Sequence, residues 1–430
     1  MFSLKGSGIC QYLGTFYILL LLCGVVPASN LSTRALELMS KYPLIDGHND
    51  LALRLRIMFN NKLDQFNFYN YSKTATNINK LKAGHVGGQI FAAYVMCTAQ
   101  EMDAVRLTLE QIDVIRRICT EYTDLELATT AKEMRNTKKI ACLISIEGGH
   151  AIDSSLPALR MFYLLGVRSM SLTHNCNTPW AESSSDIYSY YKKRNINGLT
   201  DFGKAVVDEM NRLGMLIDLS HTSWGTARAV LQRSKAPVIF SHSSSYTICN
   251  HSRNVPDDLL VMLKKNGGLI MVNFHSGFIA CEGIANISTV ANHLDYLKQI
   301  AGYEHLGIGG DYDGANGFPQ GLEDVSKYPA LIGELLWRGW NETELASVLR
   351  LNFLRVFENV EKVRDELSDT RPSEVQIPFI EANNSCRMEL KPPVIPKTGN
   401  VYSVSGGFPL LFMSALCWTI VPFQCLLLYC

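Results

Sequence analysis

The chain has 430 residues, enough for a sizeable core in one large domain or two. Apolar residues make up 47%, which argues against a disordered chain. Lys plus Arg and Asp plus Glu number 40 each, so the formal charge is zero and the basic surplus of a nucleic-acid binder is missing.

Residues 1–28 are expected to be a signal peptide. Lys5 precedes an apolar run of about 11 residues at 16–26, and Val26-Pro27-Ala28 offers small residues for cleavage. That run is too short for a hydrocarbon core of roughly 30 Å, which sets aside a transmembrane anchor.

A catalytic domain is expected at 29–390, and its first strand raises a question. In "PLIDGHNDLALRL" an apolar run ends abruptly in Asp46, Gly47, His48, Asn49 and Asp50. Further short apolar runs follow, so that the strand candidates are 43–47, 89–95, 140–146, 167–172, 215–219, 237–240, 268–273 and 306–309. Amphipathic stretches such as "EMDAVRLTLEQIDVIRRIC" and "LTDFGKAVVDEMNRLG" lie between most of them. Apolar strands alternating with helices indicate a parallel sheet covered on both faces. Eight such units predict a closed (β/α)₈ TIM barrel with its active groups at the C-terminal strand ends. An open doubly wound sheet is the alternative, but no Gly-rich dinucleotide turn follows the first strand.

Polar residues collect at those predicted ends. They are His48 and Asp50, Glu147 in "SIEGGH", His174 in "SLTHN", His221 in "LIDLSH", His242 in "VIFSH", and Asp311 and Asp313 in "GGDYDG". Convergent carboxylates and imidazoles at one barrel mouth would repel each other or strand buried charge, and a metal cluster resolves that conflict. Imidazole and carboxylate without thiolate suit zinc, and the count suits two ions bridged by a carboxylate.

Past the domain, 391–405 reads as a linker and 406–430 as a hydrophobic tail that is removed. The small residues Ser403, Ser405, Gly406 and Gly407 before it resemble a GPI-attachment signal, with Ser405 as the attachment residue. A permanent tail span is the alternative, though one would normally carry a cytoplasmic basic flank. Seven of the 12 cysteines remain between the two ends, which in a secreted protein favours disulfides and leaves an odd thiol. Sequons at Asn30, Asn70, Asn250, Asn286, Asn341 and Asn383 fit the same compartment.

The segments "LIDGHNDL", "SIEGGH", "SLTHNCNTPWA", "GLTDFGKAVVDEMNRLGMLIDLSH", "APVIFSHSS" and "NHSRNVPDD" resemble the membrane (renal-type) dipeptidases of the binuclear zinc amidohydrolase superfamily. The resemblance runs from about Tyr42 to about Cys386 and departs in "LALRLR" and "SSSYTICNH". It implies a GPI-anchored, disulfide-linked homodimer at the cell surface, with two Zn²⁺ per subunit, that cleaves dipeptides including cysteinyl-glycine types and leukotriene D4. It further implies that His48 and Asp50 hold one zinc, that His221 and His242 hold the other, and that Glu147 bridges them. His174 would face the developing oxyanion, Arg253 would take the substrate's terminal carboxylate, and Asp311 would shuttle the proton. Disulfides Cys97–Cys176 and Cys249–Cys281 and an interchain link through Cys386 come with the resemblance. Cys119 and Cys142 are expected to be buried free thiols. His150, His251, His275 and His293 read as loop or supporting residues, and Asp313 as a turn residue beside Gly314. The remaining alternatives are a same-barrel amidohydrolase on another small amide or lactam, and a non-catalytic surface receptor.

Overall fold

The structure, a computed structural model, describes residues 28–185, 187–192, 198–382, 384, 387 and 388. The segment before Ala28, expected to be a leader, and Cys386, Ser405 and residues 406–430, expected to be a removed tail, lie outside those residues. The chain divides into two units after Arg387; the first holds the whole barrel, and of the second only Met388 is described. Among the described residues no helix is long and apolar enough to cross a membrane.

Nine parallel strands form the sheet: β1 (Leu44–Asn49), β2 (Val86–Tyr94), β3 (Leu125–Leu127), β4 (Ile140–Glu147), β5 (Val167–Ser171), β6 (Leu216–Asp218), β7 (Ile239–Phe240), β8 (Leu269–Val272) and β9 (Leu306–Ile308). The order runs β2-β1-β9-β8-β7-β6-β5-β4, and β2 pairs with β4 to close the barrel. The expected eight-stranded barrel is therefore present, with β3 added beside it. β3 lies along Ile140 to Cys142 of β4, while β5 joins the same edge only from Ile144 onward. Three residues are too few for a period to register in the sequence, which is why β3 was not expected.

β4 reads IACLISIE and is buried at every position, as a strand covered on both faces must be. Helices wrap the outside with one apolar stripe each. In Ala104–Glu121 the stripe is Thr108, Ile112, Ile115 and Cys119, at helical spacing. Inside the barrel, Ile45, Ile90, Leu143, Leu216, Ile239 and Met271 meet Phe353 and Phe357 of the helix Asn352–Glu366. The bottom of the barrel is thus plugged with side chains, which leaves the chemistry to the top.

One sequence expectation is overturned here. Cys119 and Cys142 are bonded to each other, with their Cα atoms 6.2 Å apart. The helix after β2 lays its buried face over β4, and that packing brings two apolar-looking cysteines within disulfide reach.

Candidate metal and substrate site

Each polar residue named from the sequence stands at a strand end, and the backbone there is specialised. Gly47 ends the apolar part of β1 where a Cβ would lie 2.6 Å from the Ser241 carbonyl oxygen and 2.5 Å from Met271 Sδ. Only glycine permits that approach, so His48 can follow at the barrel axis. His221 and Asp311 adopt left-handed φ values of 67° and 59°, a conformation costing roughly 1–3 kcal/mol for a side-chain-bearing residue. Both follow strands that end early, β6 at Asp218 and β9 at Ile308, and both aim their side chains at the mouth.

The side chains converge on one carboxylate. Glu147 Oε1 lies 3.2 Å from His221 Nε2, 3.4 Å from His242 Nε2, 3.5 Å from His48 Nε2 and 3.8 Å from His174 Nε2. Asp50 Oδ2 is 3.1 Å from His48 Nε2, and Asp50 Oδ1 has no hydrogen-bond partner. His221 Nε2 and His242 Nε2 face each other at 3.1 Å. Their other ring nitrogens lie against acceptors: His221 Nδ1 is 3.0 Å from Asn175 Oδ1, and His242 Nδ1 is 2.8 Å from the Ser241 hydroxyl. With the protons on Nδ1, two bare lone pairs point at one another, which is unfavourable unless a cation lies between them. His48, Asp50 and Asp311 make a second ligand-like group, and His48, Glu147 and His242 a third.

The electrostatics agree with that donor set. Burial pushes the Glu147 carboxyl well above its ordinary value, and the Asp50 and Asp311 carboxylates add to this. Asp311 is pushed up to about 7, mainly by burial. Burial opposes a charge on His48, but Asp50 and Glu147 outweigh it and hold that imidazole up at about 10. His174, His221 and His242 are held well below 6.5, chiefly by burial and then by neighbouring cations, so they are neutral at pH 7. Crowded acids that need positive charge, beside neutral imidazoles with free lone pairs, fit divalent cations.

Above the cluster opens a cavity of about 520 Å³, bordered by Tyr94, Met96, His174, Tyr188, Arg253 and Phe278. Arg253 is 6% exposed; its guanidinium donates to the His242 carbonyl at 3.2 Å and the Ser243 hydroxyl at 3.4 Å, while Nε has no partner. Cys97–Cys176 ties the segment after β2 to the segment after β5, and Cys249–Cys281 ties the Arg253 loop to the segment after β8. His150 stands outside the Glu147 cluster: its Nε2 lies on the Val95 carbonyl at 2.8 Å and its Nδ1 lies 3.8 Å from Cys176 Sγ, and the two cysteines beside it are bonded to each other. His251 Nδ1 accepts the Arg253 N–H, His275 caps a short helix, and His293 bridges Ser245 and Ile279. Asp313 is more than a turn residue: it is buried and accepts the Ala75 N–H at 2.8 Å.

Several supporting residues escaped the sequence reading. Asn273 donates to Asp311 Oδ2 at 3.3 Å, and Asn175 orients His221. Asp46 accepts N–H groups from His48 and Gly310 and a hydroxyl from Tyr328, and Asp218 does similar work between β6 and β7. A signal for the last two existed, because Leu-Ile-Asp occurs at 44–46 and at 216–218, each time with a histidine within three residues.

A family model described as membrane dipeptidase, peptidase family M19, matches residues 32–371. Dipeptidase 3 of Mus musculus is 52% identical over 362 residues, covering 84% of this chain and 73% of that protein. Dipeptidase 3 of Homo sapiens is 51% identical over 369 residues, covering 86% and 75%. Among solved structures, the probable dipeptidase PvdM from Pseudomonas aeruginosa shares the fold at a TM-score of 0.70 and 20% identity, over 78% of this chain and 99% of that one. A metallopeptidase from Rhodobacter sphaeroides, liganded with a phosphinate mimic of the dipeptide L-Ala-D-Ala, matches at a TM-score of 0.65 and 25% identity, over 74% and 99%. A barrel of this topology, a histidine–carboxylate cluster at its mouth and relatives of half-identical sequence agree: the chain belongs to the membrane dipeptidase family, peptidase family M19, and is a dipeptide-hydrolysing enzyme.

Proposed function

We propose that this enzyme is a zinc-dependent dipeptidase of the cell surface with two zinc ions per subunit. His48 and Asp50 would hold one ion, His221 and His242 the other, and Glu147 would bridge them. Bound there, the ions would supply Lewis acidity, acidifying a water and polarising the scissile carbonyl. The chain's own groups do the rest. Arg253 pairs its free guanidinium edge with the substrate's terminal carboxylate, a planar match that fixes the peptide bond over the cluster. His174, beside Glu147 at the cavity wall, faces the carbonyl oxygen as charge develops on it. Asp311, held by Asn273, takes a proton from the attacking water and returns it to the leaving amine as the C–N bond breaks.

The observation that carries this reading is Arg253. A buried cation with an unpartnered Nε at the wall of a metal-type cluster suits a small substrate ending in a carboxylate. The phosphinate dipeptide mimic bound by the Rhodobacter relative belongs to the same class. Met96 and Tyr188, 49% and 60% exposed at the rim, suit substrates with an apolar or thioether arm, including cysteinyl-glycine types and leukotriene D4. The sequence further supports a leader at 1–28, a linker at 391–405, a GPI anchor at Ser405 replacing 406–430, and a homodimer linked through Cys386. Non-reducing gels of Cys386→Ser should then show monomer alone, and a surviving dimer band would remove that link.

A substrate panel tests the activity. The purified ectodomain should hydrolyse dipeptide acids and leukotriene D4, and act poorly on C-terminal amides and tripeptides. Comparable rates on acids and amides would favour the broader amidohydrolase reading, and no hydrolysis of any would favour a surface receptor.

A further inference from the structure

The two histidines of the second proposed zinc position stand on the turns after β6 and β7, and one buried carboxylate reaches both turns. Asp218, the last residue of β6, is 4% exposed. Its Oδ1 accepts the backbone N–H of Ser220 at 2.9 Å and that of Ser241 at 2.9 Å. Its Oδ2 accepts the Ser241 hydroxyl at 2.5 Å. That hydroxyl oxygen lies 2.8 Å from His242 Nδ1, and the Ser220 hydroxyl accepts the His242 N–H at 3.0 Å. Since the Ser241 hydrogen is committed to the carboxylate, its oxygen can only accept from the ring.

We propose that Asp218 is a positioning residue for metal binding, acting through the Ser241 hydroxyl to keep the His242 proton on Nδ1 and its Nε2 lone pair directed at Glu147 and His221. The two backbone hydrogen bonds fix where the turns carrying His221 and His242 sit, and the hydroxyl fixes which nitrogen of His242 is free. Outer partners of this kind orient a ligating imidazole and typically control 10–100-fold in metal affinity. Ser241 is itself hemmed in: Gly47 and Gly309 are the residues whose Cβ atoms would strike its carbonyl, at 2.6 and 1.9 Å. The relay therefore sits at a point where β1, β7 and β9 close on one another and has no room to shift.

The inference rests on the proposed zinc reading, and one experiment separates the two. Zn²⁺ affinity is measured by chelator competition on the intact ectodomain for wild type, Asp218→Asn, Ser241→Ala and the double variant, together with the melting midpoint of each metal-free protein. In Asp218→Asn the carboxylate acceptor is lost, so the Ser241 hydroxyl is released to donate to His242 Nδ1 and drive the proton to Nε2. Ser241→Ala leaves the two backbone hydrogen bonds of Asp218 intact and removes only the relay, so it stands even where Asp218→Asn fails to fold. Each single variant should bind one of two zinc ions 10–100-fold more weakly, and the double variant no more weakly than the worse single. The metal-free midpoint of Ser241→Ala should fall, because the buried Asp218 Oδ2 loses the hydroxyl it accepts, so zinc affinity is compared at a temperature where the variant is fully folded. Unchanged zinc affinity in Ser241→Ala, with two ions still bound by wild type, overturns the positioning role alone. A wild type that binds no zinc overturns the underlying reading as well.

Discussion

Replacing Arg253 with lysine keeps the charge and changes the geometry, which makes it the sharpest probe of substrate recognition. The guanidinium is buried and already anchored by two donors, to the His242 carbonyl and the Ser243 hydroxyl. A lysine ammonium is a point charge; it cannot hold those anchors and also present two parallel N–H groups to a carboxylate. A hydrogen bond to a charged group contributes about 1.5–3 kcal/mol, so losing one should lower kcat/KM by roughly 10- to 150-fold on a dipeptide acid. On the matching dipeptide amide, already a poor substrate, the same substitution should cost little, because no carboxylate remains to pair. Steady-state kinetics of both enzymes on both substrates close a double cycle. Equal losses on acid and amide would refute the carboxylate role and leave Arg253 as a brace for the loop beside Cys249.

Glu147→Gln should abolish hydrolysis while the circular dichroism spectrum stays that of wild type, since an amide cannot neutralise two cations; wild-type turnover in zinc-replete buffer would remove the bridging assignment. The pH dependence of stability supplies a second check, on buried histidines outside the proposed ligand set. His150 and His293 are buried, and each is lowered from 6.5 to about 4, chiefly by burial. A folded-state value below the unfolded one means that their contribution is complete above about pH 6.5 and is lost as pH falls towards 4. Each depression corresponds to on the order of 3 kcal/mol. Denaturant midpoints should therefore drop across that window, and His293→Gln should show a shallower drop than wild type; parallel curves would mean that His293 does not titrate as described.

The eight barrel strands could be read from the sequence because each is a run of buried residues ended by an abrupt polar turn, and LIDGH and LIDLSH advertise two of them. Strand β2 starts at Val86, earlier than its apolar run suggests, because Gly87 and Gly88 interrupt the pattern. Gly87 is there for packing: a Cβ would lie 2.5 Å from that of Pro43, the residue just before β1. The residues nearest the chemistry were legible because imidazoles and acids after buried strands are costly without a purpose. Their supports were not, since Asn175, Asn273 and Ser241 are ordinary loop residues until the fold sets them against His221, Asp311 and His242. The Cys119–Cys142 bond was hidden for a related reason. Each cysteine sits in an apolar stripe where a thiol packs as well as a disulfide, and only the docking of helix on strand decides between them.

The measurement that bears most directly on the whole account is a zinc titration of metal-free ectodomain, with dipeptide hydrolysis followed at each addition. Activity should be absent without metal and should rise to its plateau at two equivalents of Zn²⁺ per chain. A plateau at one equivalent would contradict the bridged pair, and full activity in the metal-free protein would contradict the metal site altogether.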